Sequence, residues 1–361
     1  MKTKFSISIA SILLVSSLFY SCHKDLDLVP NDGFFAQQVY STPEGYKQGL
    51  SRVYSSFATT GNDGPAGAGD LPFGGDEGFS DFFRTYWQLQ ELPTDEAVIA
   101  WGDAGLPDLN TGNWSPNNPF IQRAFYRSSF QIVMANEFMR ECAKSKLDER
   151  SIPESARGEI EFYKQEARFL RAYQYWILLD LFGTAPFVTE NDPISSIPPR
   201  QANKKQLFDY VESELKDLET KLKPARTNEY GRADQAAAQA LLARMYLNAE
   251  TYLGAGNTKY DEAATYAKKV IDLGYSLAPD YQNIMTANNN INPSRNEFIF
   301  TINYDGLKTK GYGGTHFLAH ATVGGSMDPR MFGVNGGWAG LRAKRNLVDR
   351  FPSVGNKGDN G

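Results

Sequence analysis

This 361-residue chain has little of several things, and each shortage excludes a class of function. Two cysteines, Cys22 and Cys142, stand far apart in unlike surroundings, which excludes a disulfide framework. Three histidines, His23, His316 and His320, are too few and too scattered to announce a metal site. Basic charge is not in excess: the net charge is −5, and the chain without its first 21 residues, which hold Lys2 and Lys4 and no acid, stands at −7. Nucleic acid needs a basic footprint, so it is excluded as a partner. No Gly-Lys-Ser/Thr occurs in the glycine-rich stretch 59–79, so it is no phosphate loop. A G-x-S-x-G nucleophile elbow is absent as well, as is any convincing Cys/His nucleophile pairing. Asp95 and Glu96 are adjacent on a turn, whereas glycoside hydrolysis needs two carboxylates at a set separation across one bond. The reading therefore calls for no enzyme, no cofactor and no metal.

What is present is mostly helix. Residues 166–186, EARFLRAYQYWILLDLFGTAP, hold a helical pattern that stops at Gly183 and Pro186. Apolar side chains lie on every side of it, among them Phe169, Leu170, Tyr175, Trp176, Ile177, Leu178 and Leu179, which predicts a central, buried helix over Glu154 to Phe182. Arg168 and Arg171 lie inside that helix, so each needs a fixed acidic or carbonyl partner. Thr42-Pro43-Glu44 reads as a helix start, followed by Tyr46, Leu50, Val53, Tyr54 and Phe57 at helical spacing. Another helix falls within 80–100, and a long amphipathic one runs from Phe120 to Cys142, with Cys142 expected as a small buried hydrophobe. A proline-rich crossover covers 183–203. The helix from Lys204 to Leu222 carries Leu207, Val211, Leu215, Leu218 and Leu222 on one stripe. Arg232 to Leu253 and Tyr260 to Leu273 form a helical pair, with Ala236, Ala240, Ala243 and Leu247 as its close-packing face. Glu297 to Ile302 reads as a strand. The segment around His316 and His320 is glycine-rich and does not read as helix, 101–118 reads as loop, and Leu341 to Phe351 as a short helix. The fold class is mainly α: tetratricopeptide-like helical repeats with long loops and minor β near the C-terminus.

The N-terminus reads as an address. A basic start is followed by a 16-residue apolar stretch, Phe5 to Tyr20, too short for a comfortable span. It ends in Leu18-Phe19-Tyr20-Ser21-Cys22, which resembles a bacterial lipobox. Residues 1–21 are then a lipoprotein signal peptide, and acyl chains on Cys22 hold the rest at a membrane. Residues 22–361 form one domain.

The pattern E-A-R-F-L-R-A-x-x-Y-x-x-L with F-G-x-x-P in the central helix resembles the SusD/RagB family. The segment from Thr94 to Asn136 carries a second resemblance, through Thr94, Asp95, Glu96, Trp101, Asp103, Trp114 and Asn136. The resemblance implies a surface lipoprotein of the outer membrane that captures a glycan and passes it to a SusC-like TonB-dependent transporter. It also implies a longer chain that returns to helix after residue 351. Sugar recognition needs aromatic faces for the C–H side of a pyranose and planar polar groups for its hydroxyls. Trp101, Asp103, Asn113 and Trp114 offer both in one loop, and Trp338, in Asn335-Gly-Gly-Trp-Ala-Gly, adds a ring from another. Of the tryptophans, Trp101 is expected to be exposed, and Trp114 is open to either binding or core packing. The loops of 61–118 and 305–340 are expected to face ligand, and the repeat face the transporter. Two other readings are a lipoprotein that captures peptide or another nutrient, and a tetratricopeptide-like scaffold that binds protein and no sugar.

Overall fold

The computed structural model describes residues 36–61, 69–71, 77–195, 197–309 and 311–351. The expected signal peptide, Cys22 and His23 lie outside the described residues. The chain divides into residues 1–39, of which one helical turn, α1 (Ala36–Val39), is described, and residues 40–361. Everything below concerns the second unit.

Its helices begin where their caps predict. Thr42 accepts a hydrogen bond from the Gly45 amide at 3.2 Å and opens α2 (Pro43–Ser55), which buries Tyr46, Leu50 and Val53. Asp81 caps α3 (Phe82–Glu91). After a short strand, β1 (Ala97–Ile99), the expected loop 101–118 contains one and a half turns of helix, α4 (Leu106–Thr111). Glycines in the left-handed conformation bound α4 at both ends, and it forms because Leu106 and Leu109 are driven out of water. Then come α5 (Pro119–Glu141), α6 (Lys144–Glu149) and the central α7 (Glu154–Phe182). Cys142, next to the end of α5, is buried, and that burial pushes its thiol far up.

The 29-residue α7 is about 43 Å long and is sheathed by α2, α5 and α8 (Lys204–Lys221). Fifteen of its residues are buried, so it cannot be an amphipathic surface helix. Gly183, at φ 73°, ends it by turning its amide back to the carbonyls of Leu178 and Leu179. Both internal arginines have the acidic partners their position demands. Arg168 holds Glu214 and Asp217, each at 2.8 Å, while Arg171 holds Asn136 at 2.7 Å, Glu190, and Glu214 at 3.3 Å. A third network joins Glu166 to Arg232 and to the Tyr54 hydroxyl, which donates at 2.6 Å. Asn136 is thereby a structural residue. Its side chain also donates to the Val188 carbonyl at 3.2 Å. The crossover after α7 closes with a two-residue ladder, β2 (Ala185–Pro186) against β3 (Gln201–Ala202).

The repeat-like pair differs in detail from the sequence reading. Its first arm is two helices, α9 (Gln235–Leu247) and α10 (Ala249–Leu253), because the Asn248 side chain bonds back to the Arg244 carbonyl and competes with the helical ladder. Its buried residues are Ala236, as read from the sequence, with Ala237, Ala238, Leu241, Leu242, Met245 and Tyr246. Ala240 and Ala243 are half-buried and Leu247 is exposed. The second arm is α11 (Tyr260–Asp272), joined to the first through the Tyr246 and Tyr266 rings at 5.5 Å.

Residues 297–302 are not a strand. They find no partner strand among the described residues, and their apolar side chains settle on the helices instead, Phe300 against Phe169 at 5.2 Å. The minor β lies elsewhere. After α12 (Gly314–Thr322), β4 (Leu341–Ala343) pairs antiparallel with β1, Ile99 opposite Leu341 and Ala97 opposite Ala343. The expected helix at 341–351 is therefore this strand followed by one turn, α13 (Arg345–Val348). The segment of His316 and His320 is α12, a helix that its flanking glycines conceal in the sequence. β1, α4, α12 and β4 enclose a second, smaller core of Leu92, Ile99, Leu106, Leu109, Phe120, Phe317, Ala321 and Leu341.

Candidate ligand-binding site

The β1–β4 pair brings together two segments more than 200 residues apart in sequence. Amide bonds extend the pair beyond the strands, from Ala100 to the Gly340 carbonyl and from Lys344 to that of Glu96. The Thr94-Asp95-Glu96 turn is part of this clasp. Lys344 donates to the Thr94 carbonyl at 2.7 Å, and Asn346 donates to the Asp95 carboxylate at 2.6 Å.

Just past the clasp, Trp101 and Trp338 meet. Their ring centroids are 6.4 Å apart at 46°, and the Trp101 indole N–H donates to the Trp338 carbonyl at 3.1 Å. Trp101 is half-buried rather than fully exposed, because its inner edge rests on Phe317 at 6.1 Å. Glycine is required at position 340: a Cβ there would sit 2.4 Å from the indole. Trp338 is anchored through its backbone. Its amide donates to the His320 carbonyl at 2.7 Å, and the next two amides bond to Val323 and Ala321. The ring lies flat on His320, with centroids 4.9 Å apart at 27°, and Tyr312 stands edge-on at 5.8 Å.

These rings border a cleft of about 400 Å³ lined by Phe79, Arg84, Trp101, Asp103, Tyr312 and Trp338. Arg84 forms its floor. Its guanidinium lies between the Phe79 and Phe317 rings, 4.6 and 4.7 Å from their centroids, and donates to the Tyr312 carbonyl at 2.9 Å. Asp81 secures the floor from below. One carboxylate oxygen accepts from the amides of Arg84 and Gly314, both at 2.8 Å, while burial pushes its carboxyl above the usual range. Asp103 is exposed at the rim.

Three of the five residues singled out from the sequence, Trp101, Asp103 and Trp338, therefore share one cleft. Asn113 and Trp114 do not line it. Both stand in water beyond α4, with Trp114 47% exposed, so Trp114 is not a core residue. Phe79, Arg84 and Tyr312 escaped sequence reasoning. Tyr312 carries the same signal as Trp338, an aromatic residue set among glycines. Arg84 carries none, since nothing distinguishes it from a solvated arginine on an amphipathic helix. Chemically the cleft offers flat apolar faces, a fixed guanidinium and a rim carboxylate, which suits a ligand that presents both C–H faces and hydroxyls.

The fold is a mainly helical scaffold that carries a loop-built aromatic cleft, and comparison with known proteins says what it is similar to. Residues 100–247 match a family described as SusD-like, starch-binding associating with outer membrane. The chain is 36% identical over 360 residues to the starch-binding protein SusD of Bacteroides thetaiotaomicron, covering 97% of this chain and 60% of that one. Two solved structures share the fold. A SusD-like carbohydrate-binding protein of Bacteroides fragilis superposes with a TM-score of 0.63 at 20% identity, over 87% of this chain and 54% of that one. The surface glycan-binding protein A of Bacteroides thetaiotaomicron, in complex with laminarihexaose, gives 0.62 at 17%, over 86% and 61%. The chain is SusD-like in sequence and in fold. It spans about 60% of the length of the SusD it matches.

Proposed function

We propose that this protein captures a glycan at the cell surface and delivers it to a SusC-like TonB-dependent transporter in the outer membrane, to which acyl chains on Cys22 tether it. The observation that carries the capture step is the meeting of Trp101 and Trp338 over a cleft with Arg84 and Asp103. Two tilted indoles offer stacking faces to a curved sugar chain, and the Asp103 carboxylate, with the part of Arg84 that reaches the cleft, offers polar partners to its hydroxyls. Such a set binds without cleaving, since glycoside hydrolysis calls for a facing pair of carboxylates. Asn113 and Trp114 are proposed as an outer contact that meets a further stretch of a long glycan. The relatives' names support a carbohydrate ligand, starch for one and laminarihexaose for another.

The capture step is tested by native affinity electrophoresis through gels holding a panel of soluble polysaccharides. Retardation by one polymer is expected; free migration through all of them would shift the weight to capture of peptide. Delivery is tested separately, by affinity purification of the lipidated protein from outer membranes. A co-purifying β-barrel transporter is the expected result, and its absence under mild detergent would remove the delivery step while leaving capture intact.

A further inference from the structure

Behind Trp338 lies a feature that glycan capture does not require. His316 and His320 sit one helical turn apart on α12 with their rings stacked, centroids 4.1 Å apart at 24°. Trp338 closes a three-ring cluster, stacked on His320 at 4.9 Å and tilted against His316 at 5.3 Å. His320 is 7% exposed and its Nδ1 has no hydrogen-bond partner, whereas His316 is covered on its stacked face and open to water on its outer edge. We propose that His316 and His320 are positioning residues for Trp338, and that adding a proton to His316 loosens the platform on which a glycan would stack. The proposal rests on the reading of the cleft as a glycan site.

The surroundings set the direction. On α3 and at its cap, Arg84 is engaged with Phe317 and Asp81 with the amides of Arg84 and Gly314. On β4, Arg342 donates to the carbonyls of Leu341 and Ala339. Asp103, across the cleft, and the Tyr312 ring, 6.3 Å from His316, are the other titratable groups that line the cleft. Neither imidazole forms an ion pair among the described residues, so no carboxylate welcomes a charge on the stack. Burial, and then the proximity of His320, hold His316 below the ordinary histidine value. A group whose value is depressed in the stacked state resists protonation there, so a proton favours the unstacked state. The stack keeps its full stability above about pH 6.5 and loses it as pH falls further.

The test uses the full chain and two readouts. Proton and carbon NMR of histidine-labelled protein, together with tryptophan fluorescence, reports the stack with no ligand present. Affinity electrophoresis in soluble starch and in laminarin between pH 5 and 8 reports the platform. Expected are a His316 titration below 6.5, a fluorescence change with the same midpoint, and an affinity that falls roughly three- to tenfold toward pH 5. His316→Phe keeps a stacked ring that cannot take a proton, so it should bind at all these pH values with a flat profile. Fluorescence that is flat with pH, or a His316→Phe variant with the wild-type pH profile, would overturn the proposal. A ligand-free titration without retardation in any gel would leave the positioning intact and remove the glycan reading beneath it.

Discussion

The helical scaffold around α7 and the cleft at the β1–β4 clasp hold their polar groups in opposite ways. Around α7 every internal charge is matched: Arg168 and Arg171 share Glu214, and Glu166 is held by Arg232 and Tyr54. In the cleft the charged groups are few: Arg84 is buried between the Phe79 and Phe317 rings and bonded to the Tyr312 carbonyl, while Asp103 stands in water at the rim. The scaffold pairs its internal charges with opposite ones, whereas the cleft holds its arginine with rings and carbonyl oxygen and leaves its carboxylate in water. A buried charge left unpaired costs several kcal/mol, which is why the arginines inside α7 need their acids. The cleft can be open because its precision comes from backbone bonds, the ladder at 97–99 and 341–343 and the amides of 338–340, rather than from side-chain saturation.

Substitutions should separate the two regions, and the largest effect belongs to the scaffold. Trp176→Ala empties a fully buried site on α7 and should cost about 3–5 kcal/mol, read by urea denaturation. Unchanged stability would mean that α7 is not the organising helix. In the cleft, Trp101→Ala or Trp338→Ala should weaken glycan binding by about 2 kcal/mol or more, roughly 30-fold, with a smaller loss of stability. Gly340→Ala should approach that loss without touching a ligand contact, because its methyl group would displace the Trp101 indole. A Gly340→Ala variant with wild-type affinity would show that the indole position does not matter.

How much of this difference the sequence discloses depends on which physical signal each residue leaves. The burial of α7, its stop at Gly183 and the need of its arginines for acids are all readable, because an apolar surface on every side of a helix has no other resolution. The helix cap at Thr42 is equally plain, whereas the capping box at Asn203 shows only in the structure. The alternation at 297–302 misleads, since it reports which side chains leave water and not whether the backbone finds a partner. α12 is hidden for the converse reason: its flanking glycines speak for a loop, and the packing of Phe317 and Ala321 overrides them. In the cleft, an aromatic residue among glycines betrays Trp101, Trp338 and, in hindsight, Tyr312. Arg84 becomes a site residue only once Phe79 and Phe317 close around it.

Acid should strike the scaffold progressively. Hydrogen bonding from Lys221, with Arg168 behind it, holds the Asp217 carboxyl below its usual range. Burial pushes Glu190 upward, but the Arg171 guanidinium wins and holds it low. Carboxylates depressed in the folded state contribute stability above their unfolded values and lose it as pH falls through the lower folded ones. Denaturation midpoints should therefore be level near neutrality and fall below about pH 4.5. A midpoint that rises on acidification would contradict these pairings. The smallest effect is expected at Trp114. Its replacement by Ala should change stability by less than about 0.5 kcal/mol, weaken binding of a long polysaccharide a few-fold, and leave a short oligosaccharide unaffected. Equal losses for both ligands would move Trp114 into the primary site.

The most direct test of the account is a paired measurement on the Trp101→Ala, Trp338→Ala double variant. Its affinity for the retarding polysaccharide and its urea midpoint should be recorded beside those of the wild type. A folded variant that is no longer retarded is the predicted result. A folded variant retarded as strongly as the wild type would contradict the account, for the two indoles would then be covering a core edge and binding nothing.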